Sequence, residues 1–466
     1  MNGVFLIISF VIAIAVMIWM ISKLKVHPFL ALMIISLLLA IVAGIDLGKI
    51  PGIIGDGFSG TFKSIGIVII FGALIGTVLE KTGAALKLAD MVVNLVGQRR
   101  PELAMLIMGW IVGIPVFCDS GFVVLNPIRE ALYKKISASP VGMAVALSGG
   151  LYASHVFIPP TPGPIAAAGA LGLGENLLLV IMMGVVVSLP VLVAVYFFAK
   201  KIGQEVTISD EEANATITKS YDDLLKQYGK LPGGFLSIAP IIMPIIFMAL
   251  GSISAILKIG GILGTLLGFL GNPIIALAIG VVFAVFLLAE TNKLAEFSDM
   301  TNESLKIVGP ILFITAAGGV LGKVITAAGF VEFIKQNAEV IKAAGIFFPF
   351  IISAIIKTAQ GSSTVAIITT ASIMGAFTVS PGQEETLMMA LGLTSEMAAA
   401  LCVMAIAAGA MCVSHANDSY FWVVTNFSKM TAQQGYRTQT MLTFIMGIVG
   451  MLSVYVLSLV LLVSNN

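Results

Sequence analysis

Long apolar runs, each cut off by a short polar or glycine- and proline-rich stretch, occupy almost the whole chain. Charge is absent from Met1–Ser22, Ile136–Gly174, Asn176–Ala199 and Thr438–Asn466, and each of these meets or exceeds the roughly 20 residues that cross a bilayer core as a helix. None alternates apolar and polar residues with the period of two that a lipid-facing barrel strand requires. Backbone amides in lipid must be satisfied within their own segment, so the pattern predicts an all-α polytopic membrane protein. Spans are predicted near 3–22, 27–45, 64–80, 141–173 and 176–199, and again near 234–257, 272–289, 307–326, 388–428 and 438–463. Within each set lies one apolar segment with a polar centre, at 102–133 and 345–378, which predicts a re-entrant hairpin.

The long hydrophilic stretch Lys200–Lys230 separates these sets, giving an N-terminal membrane repeat over 1–199, a linker over 200–233 and a C-terminal membrane repeat over 234–466. Gly72, Gly76 and Gly83 line up with Gly318, Gly322 and Gly329 at a constant offset of 246, and Ser154-His155 answers Ser414-His415. Five spans per repeat place the two repeats in opposite orientation, the inverted design of many secondary transporters. With the linker taken as cytoplasmic, 17 of the 25 Lys and Arg fall inside and only five outside, as the positive-inside bias requires. Both termini are then expected outside.

Composition closes off other classes. Hydrophobic residues make up 58% of the chain and charged residues 11%, against about a quarter charged in soluble domains. A net charge of +1 gives nucleic acid nothing to hold. Cys118, Cys402 and Cys412 have no ligand-like spacing, so neither a metal site, a cofactor nor a disulfide framework is implied. The first 22 residues read as a span, since no Lys or Arg precedes the apolar run.

The chemistry concentrates where the apolar runs are interrupted. Four prolines between Pro159 and Pro164 rule out a continuous helix just after Ser154-His155. Irregular backbone at membrane depth is tolerated where it lines a wet cavity, which makes His155 and Thr161 candidate substrate ligands; the plainer reading is a kink with a buried histidine. Asp119-Ser120-Gly121 and Gln360-Gly361-Ser362-Ser363-Thr364 mark the hairpin breaks. There glycine allows a sharp turn, and the amides and hydroxyls of the following helix start suit a carboxylate; the plainer reading is ordinary capping by Ser and Thr. An acidic group inside a membrane segment is costly and functional by default, which singles out Asp119, and Asp418 in Ser414-His415-Ala416-Asn417-Asp418, with His415 and Asn417 beside it. Either carboxylate could instead neutralise Arg129 or Lys357. Glu80, Lys81 and Lys323 lie near predicted span ends, where they are expected to reach for the interface.

These residues resemble the gluconate:proton symporter (GntP) family of bacterial inner-membrane permeases, within the ion transporter superfamily. The resemblance covers essentially the whole chain and is carried by Phe117-Cys118-Asp119-Ser120-Gly121-Phe122, His155 with Pro159–Pro164, Ala359-Gln360-Gly361-Ser362-Ser363-Thr364-Val365 and Ser414-His415-Ala416-Asn417-Asp418. It implies proton-coupled uptake of gluconate, a related sugar acid or D-serine, with two hairpins, a homodimer and an elevator motion. Asp119, His155 and Asp418 are then the candidates for the coupling proton. An intramembrane hydrolase and a non-transporting scaffold are the competing classes. Against the first, neither His-Glu-x-x-His nor Gly-x-Ser-x-Gly occurs; against the second, a scaffold has little reason to carry matched polar breaks at membrane depth.

Overall fold

The computed structural model describes residues 3–96, 100–135, 139–208, 231–329, 345–375 and 395–463. The linker interior, the ends of the segments predicted at 345–378 and 388–428, and Lys335 and Lys342 lie outside the described residues. The described residues form helices throughout, as the apolar runs predict. In the first half these are α1 (Gly3–Ser22), α2 (Pro28–Val42), α3 (Ile50–Thr61), α4 (Ile67–Lys81), α5 (Ala84–Val96), α6 (Pro101–Val112), α7 (Cys118–Lys135), α8 (Pro140–Phe157), α9 (Pro162–Ala170) and α10 (Leu177–Glu205). The second half contributes α11 (Gly234–Ile256), α12 (Gly261–Gly271), α13 (Pro273–Glu290), α14 (Phe297–Ala327), α15 (Phe347–Gln360), α16 (Ser363–Gly375), α17 (Glu396–Met411), α18 (Ser419–Phe427) and α19 (Met441–Val463).

Four interruptions organise the fold, and each has a local cause. Ser139 caps α8 by accepting from the Gly142 amide at 3.1 Å, and α8 ends at Phe157 because the prolines that follow cannot donate. Thr161 then starts α9. The predicted span 141–173 is therefore two helices in line with a break between them, and 388–428 is likewise divided into α17 and α18. Two hairpins, α6–α7 and α15–α16, supply the other two interruptions. Three helices, α3, α5 and α12, occupy stretches for which no span was predicted. The helix predicted at 307–326 begins at Phe297, because a helix crossing the interface has no need to stop where the apolar run stops.

Glycine fixes how closely the breaks approach their neighbours. On α4, a Cβ at Gly72 would lie 2.7 Å from the Pro160 carbonyl, and one at Gly76 would strike the Pro115 carbonyl. The glycine row expected from the sequence is thus the surface on which the α8–α9 break and the first hairpin rest. Helices α6 and α8 cross equally closely, since a Cβ on Gly109 would come within 2.9 Å of the Leu151 nitrogen. The result is a bundle in which α8, α9, α16 and α17 are almost wholly buried, while α1, α12 and α19 leave apolar side chains on the outside, as lipid requires.

Candidate functional site

The tip of the second hairpin is a two-residue turn. Helix α15 ends at Gln360 because Gly361 adopts φ +95°, a left-handed setting that glycine takes without strain. Ser362 follows and accepts from the Val365 amide at 3.3 Å, capping α16. A Cβ on Gly361 would collide with the Asn417 carbonyl, so the tip lies directly against the α17–α18 break. From that break Asn417 Nδ2 donates to the Thr358 carbonyl at 2.9 Å, and His415 Nε2 lies 3.0 Å from the same oxygen. Ser363 is buried within electrostatic reach of Tyr152, whose hydroxyl donates to the Ala410 carbonyl at 3.5 Å. Thr364 reaches the other break, where a Cβ on Gly163 would sit 3.8 Å from its Cα.

The α17–α18 break has no proline and is held open by side chains. Val413 takes φ +56°. The Ser414 amide donates to Thr443 Oγ1 at 2.9 Å, and Thr440 Oγ1 donates to the Ser414 carbonyl at 2.6 Å, so the start of α19 satisfies what the broken helix leaves open. Asp418 caps α18, its Oδ1 accepting from the Tyr420 amide at 3.1 Å. Its Oδ2 accepts from Ser414 Oγ at 2.5 Å and from Lys357 Nζ at 2.6 Å. Lys357 is fully buried and also donates to the Gly361 carbonyl. One ammonium therefore ties the hairpin tip to the break. Removing either partner of such a pair leaves a buried charge uncompensated, at a cost of roughly 3–5 kcal/mol.

In the first hairpin the turn runs from Gly113 to Phe117, ahead of the expected position, and Asp119-Ser120-Gly121 forms the first turn of α7. That shift corrects the placement of the break and leaves the chemistry beside it. Asp119 is half-buried and accepts from Ser419 Oγ at 3.2 Å. Among the described residues no Lys or Arg forms an ion pair with Asp119. Arg129 instead donates to Asn126 and to the Pro140 carbonyl at 2.8 and 2.9 Å. Of the two neutralising partners considered for the carboxylates, only Lys357 with Asp418 forms. Glu80, expected at the interface, is half-buried and lies within electrostatic reach of Ser120, beside the first hairpin. Its neighbour Lys81 does reach the surface and pairs with Glu303 at 3.0 Å. Gly121 leaves room for Leu151, whose methyl would lie 2.7 Å from an added Cβ.

His155 lies buried in the last turn of α8, with its ring centroid 5.7 Å from that of Phe117. Its Nδ1 has no hydrogen-bond partner among the described residues. Thr161 Oγ1 donates to the His155 and Ile158 carbonyls, both at 2.8 Å, and so closes the proline break. The Tyr152 and Tyr420 rings lie tilted against each other with centroids 5.3 Å apart, and Tyr420 Oη donates to the Ser148 carbonyl at 3.0 Å. Asp418 is within electrostatic reach of Cys118, Asp119, Tyr152 and His155. Apart from Gln360, whose side chain lies outside the described part, the expected site residues lie on the two hairpins and the two broken helices. Among the described residues no group of three or more His, Cys, Asp or Glu is disposed to hold a metal.

Broken helices facing hairpin tips, with ionisable groups in the bundle interior, fit a membrane transport protein. The chain belongs to the family described as GntP family permease, which matches residues 5–460, and it is a transport protein, not an enzyme. It is 34% identical to the inner membrane permease YgbN of Escherichia coli (strain K12), over 93% of this chain and 94% of that one. It is 27% identical to the gluconate permease of Pseudomonas aeruginosa, over 99% of both chains. Among solved structures the fold is shared with the YdaH transporter of Alcanivorax borkumensis at a TM-score of 0.61 and 15% identity, over 94% of this chain and 99% of that one.

Lys357, Glu80, Ser414, Ser419 and the tyrosine pair were not among the expected ligands. For Lys357 the signal was present: a cation inside an apolar segment is functional by default as much as an acid is. Nothing local marked Tyr152 and Tyr420, since aromatic residues in apolar runs are most often packing.

Proposed function

We propose that this permease takes up gluconate or a related hydroxylated sugar acid together with protons across the bacterial inner membrane. The reading is carried by one juxtaposition: hydroxyl and backbone donors at the second hairpin tip stand beside a carboxyl, Asp119, that has no cationic partner among the described residues. Hydroxyls and amides gathered at a helix start suit a polyhydroxylated anion, and a carboxyl in the bundle without a cationic partner among the described residues is a natural proton carrier. A relative named gluconate permease that aligns over 99% of both chains supports the substrate. Purified protein in proteoliposomes should accumulate gluconate when the outside is made more acidic and should lose that accumulation when a protonophore collapses the gradient. Accumulation that ignores the gradient would defeat the proton coupling. In a thermal-shift panel of gluconate, other sugar acids, short hydroxy acids and D-serine, the true substrate raises the melting midpoint by mass action.

The two halves are read as inverted repeats, each of about five spans and a hairpin, working as a homodimer. Matching order supports this: α4, the first hairpin, the α8–α9 break and α10 are answered by α14, the second hairpin, the α17–α18 break and α19. Gly83 and Gly329, one offset apart, both follow a helix end with positive φ, at +78° and +81°. The linker over 200–233 is placed in the cytoplasm and both termini outside. Single cysteines introduced at Asn2, Asn466 and Thr216 should label with an impermeant thiol reagent in intact cells at the two termini only; labelling at Thr216 would reverse the topology.

A further inference from the structure

We infer that Lys357 is the counter-charge for the substrate carboxylate, masked by Asp418 in the empty carrier and released when Asp418 takes a proton. This deepens the proton-coupled reading above and rests on it. The ammonium is fully buried, 2.6 Å from Asp418 Oδ2, and its other acceptor is the carbonyl of Gly361, the turn residue of the hairpin. It therefore sits at the tip, next to the half-buried Ser362, His415 and Asn417. Charge accounting does the rest. In the empty site Lys357 and Asp418 cancel. An anion entering alone would leave one net negative charge in a space with little water, with Asp119 already within reach of Asp418. When a proton from water binds an Asp418 oxygen, the ammonium is left for the anion and the charge of the anion is offset by that of the proton.

Proton and anion then load together and leave together, because each lowers the cost of the other, and that coupling is reciprocal. The groups facing Asp418 agree with this assignment. Ser414 donates to it from the break and the Tyr420 amide from α18. Cys118 and Asp119 of α7 and Tyr152 and His155 of α8 lie within its electrostatic reach. Lys357 is the one cation paired with it among the described residues. Its flexible four-carbon stem lets the head swing from a carboxyl to a ligand without the helix moving.

The test is gluconate affinity of the purified full-length protein between pH 5 and pH 8. In the wild type, affinity should weaken as pH rises, up to tenfold per pH unit for each proton taken up with the anion. Asp418→Asn removes one such tenfold step and holds affinity within about threefold of the wild-type value at pH 5. Lys357→Met should bind at least tenfold more weakly at every pH. The double variant Lys357→Met/Asp418→Asn, which leaves no unpaired charge, guards against misfolding of either single change: it should melt as a folded protein, bind weakly and lack the same step. An unchanged pH slope in Asp418→Asn or in the double variant, or wild-type affinity in either variant lacking Lys357, would overturn the inference. So would a wild type that binds D-serine and no anion, because a zwitterion needs no counter-charge. A wild type that takes up none of the panel fails the transport reading itself, and this inference with it; gluconate binding with an unaltered slope in the variants fails this inference alone.

Discussion

Gly361→Val should abolish gluconate uptake and weaken binding by at least tenfold, the largest loss expected from any single change at the hairpin tip. Two independent effects act at that position. The φ of +95° lies in a region that β-branched residues avoid, and holding a residue there costs of order 1–3 kcal/mol. The added side chain would also run into the backbone of Asn417, which cannot move without disturbing the Asn417 and His415 contacts to the Thr358 carbonyl. The Gly361 carbonyl would shift with it, and Lys357 would lose its second acceptor. Gly361→Ala meets the same carbonyl with a smaller group and should fall between. Binding isotherms and uptake assays on both variants check the order. Wild-type affinity in the valine variant would remove the hairpin tip from the site.

The sequence showed where the site lies more clearly than how it is wired. Apart from α3, α5 and α12, the helices, their order and the four interruptions follow from apolar runs cut by prolines, glycines and isolated acids, because lipid leaves the backbone few alternatives. Such signals are local. Position along an interruption was less secure: the first hairpin turns at Gly113–Phe117, and Asp119 lies past the turn in α7, since Pro115 and Gly113 break a helix whereas Asp and Ser begin one. Pairing was the least accessible. That Asp418 meets Lys357 across 61 residues depends on how the second hairpin packs on the α17–α18 break, and that Ser419 meets Asp119 across 300 depends on how the two halves pack; no short window along the chain contains both partners. The surroundings of Glu80 were hidden for the same reason. Its position near a helix end is what an interfacial residue would show, and only the approach of α7 reveals Ser120 beside it.

Asp119→Asn should leave exchange of substrate intact while removing most of its accumulation. The amide keeps the size of the protonated carboxyl and still offers an acceptor to Ser419 Oγ, which lies 3.2 Å from Asp119 Oδ1, so binding and the return of the loaded carrier should persist. What disappears is one proton. With Asp418 as the other proton site, two protons and a monoanion carry one net positive charge inward, which gains about 2.3 kcal/mol per 100 mV of membrane potential, or about fiftyfold in accumulation. A pH difference of one unit adds about tenfold for each proton. The variant keeps one proton and moves no net charge. Its limiting accumulation should therefore fall about 500-fold under one pH unit and 100 mV together, and potassium–valinomycin potentials should no longer drive uptake at all. Proteoliposomes loaded for counterflow, then for uptake under a pH gradient alone and a potential alone, separate the three readouts. If the asparagine variant still responds to the potential like the wild type, Asp119 does not carry a proton, and His155, whose Nδ1 is buried without a partner among the described residues, is the next group to replace.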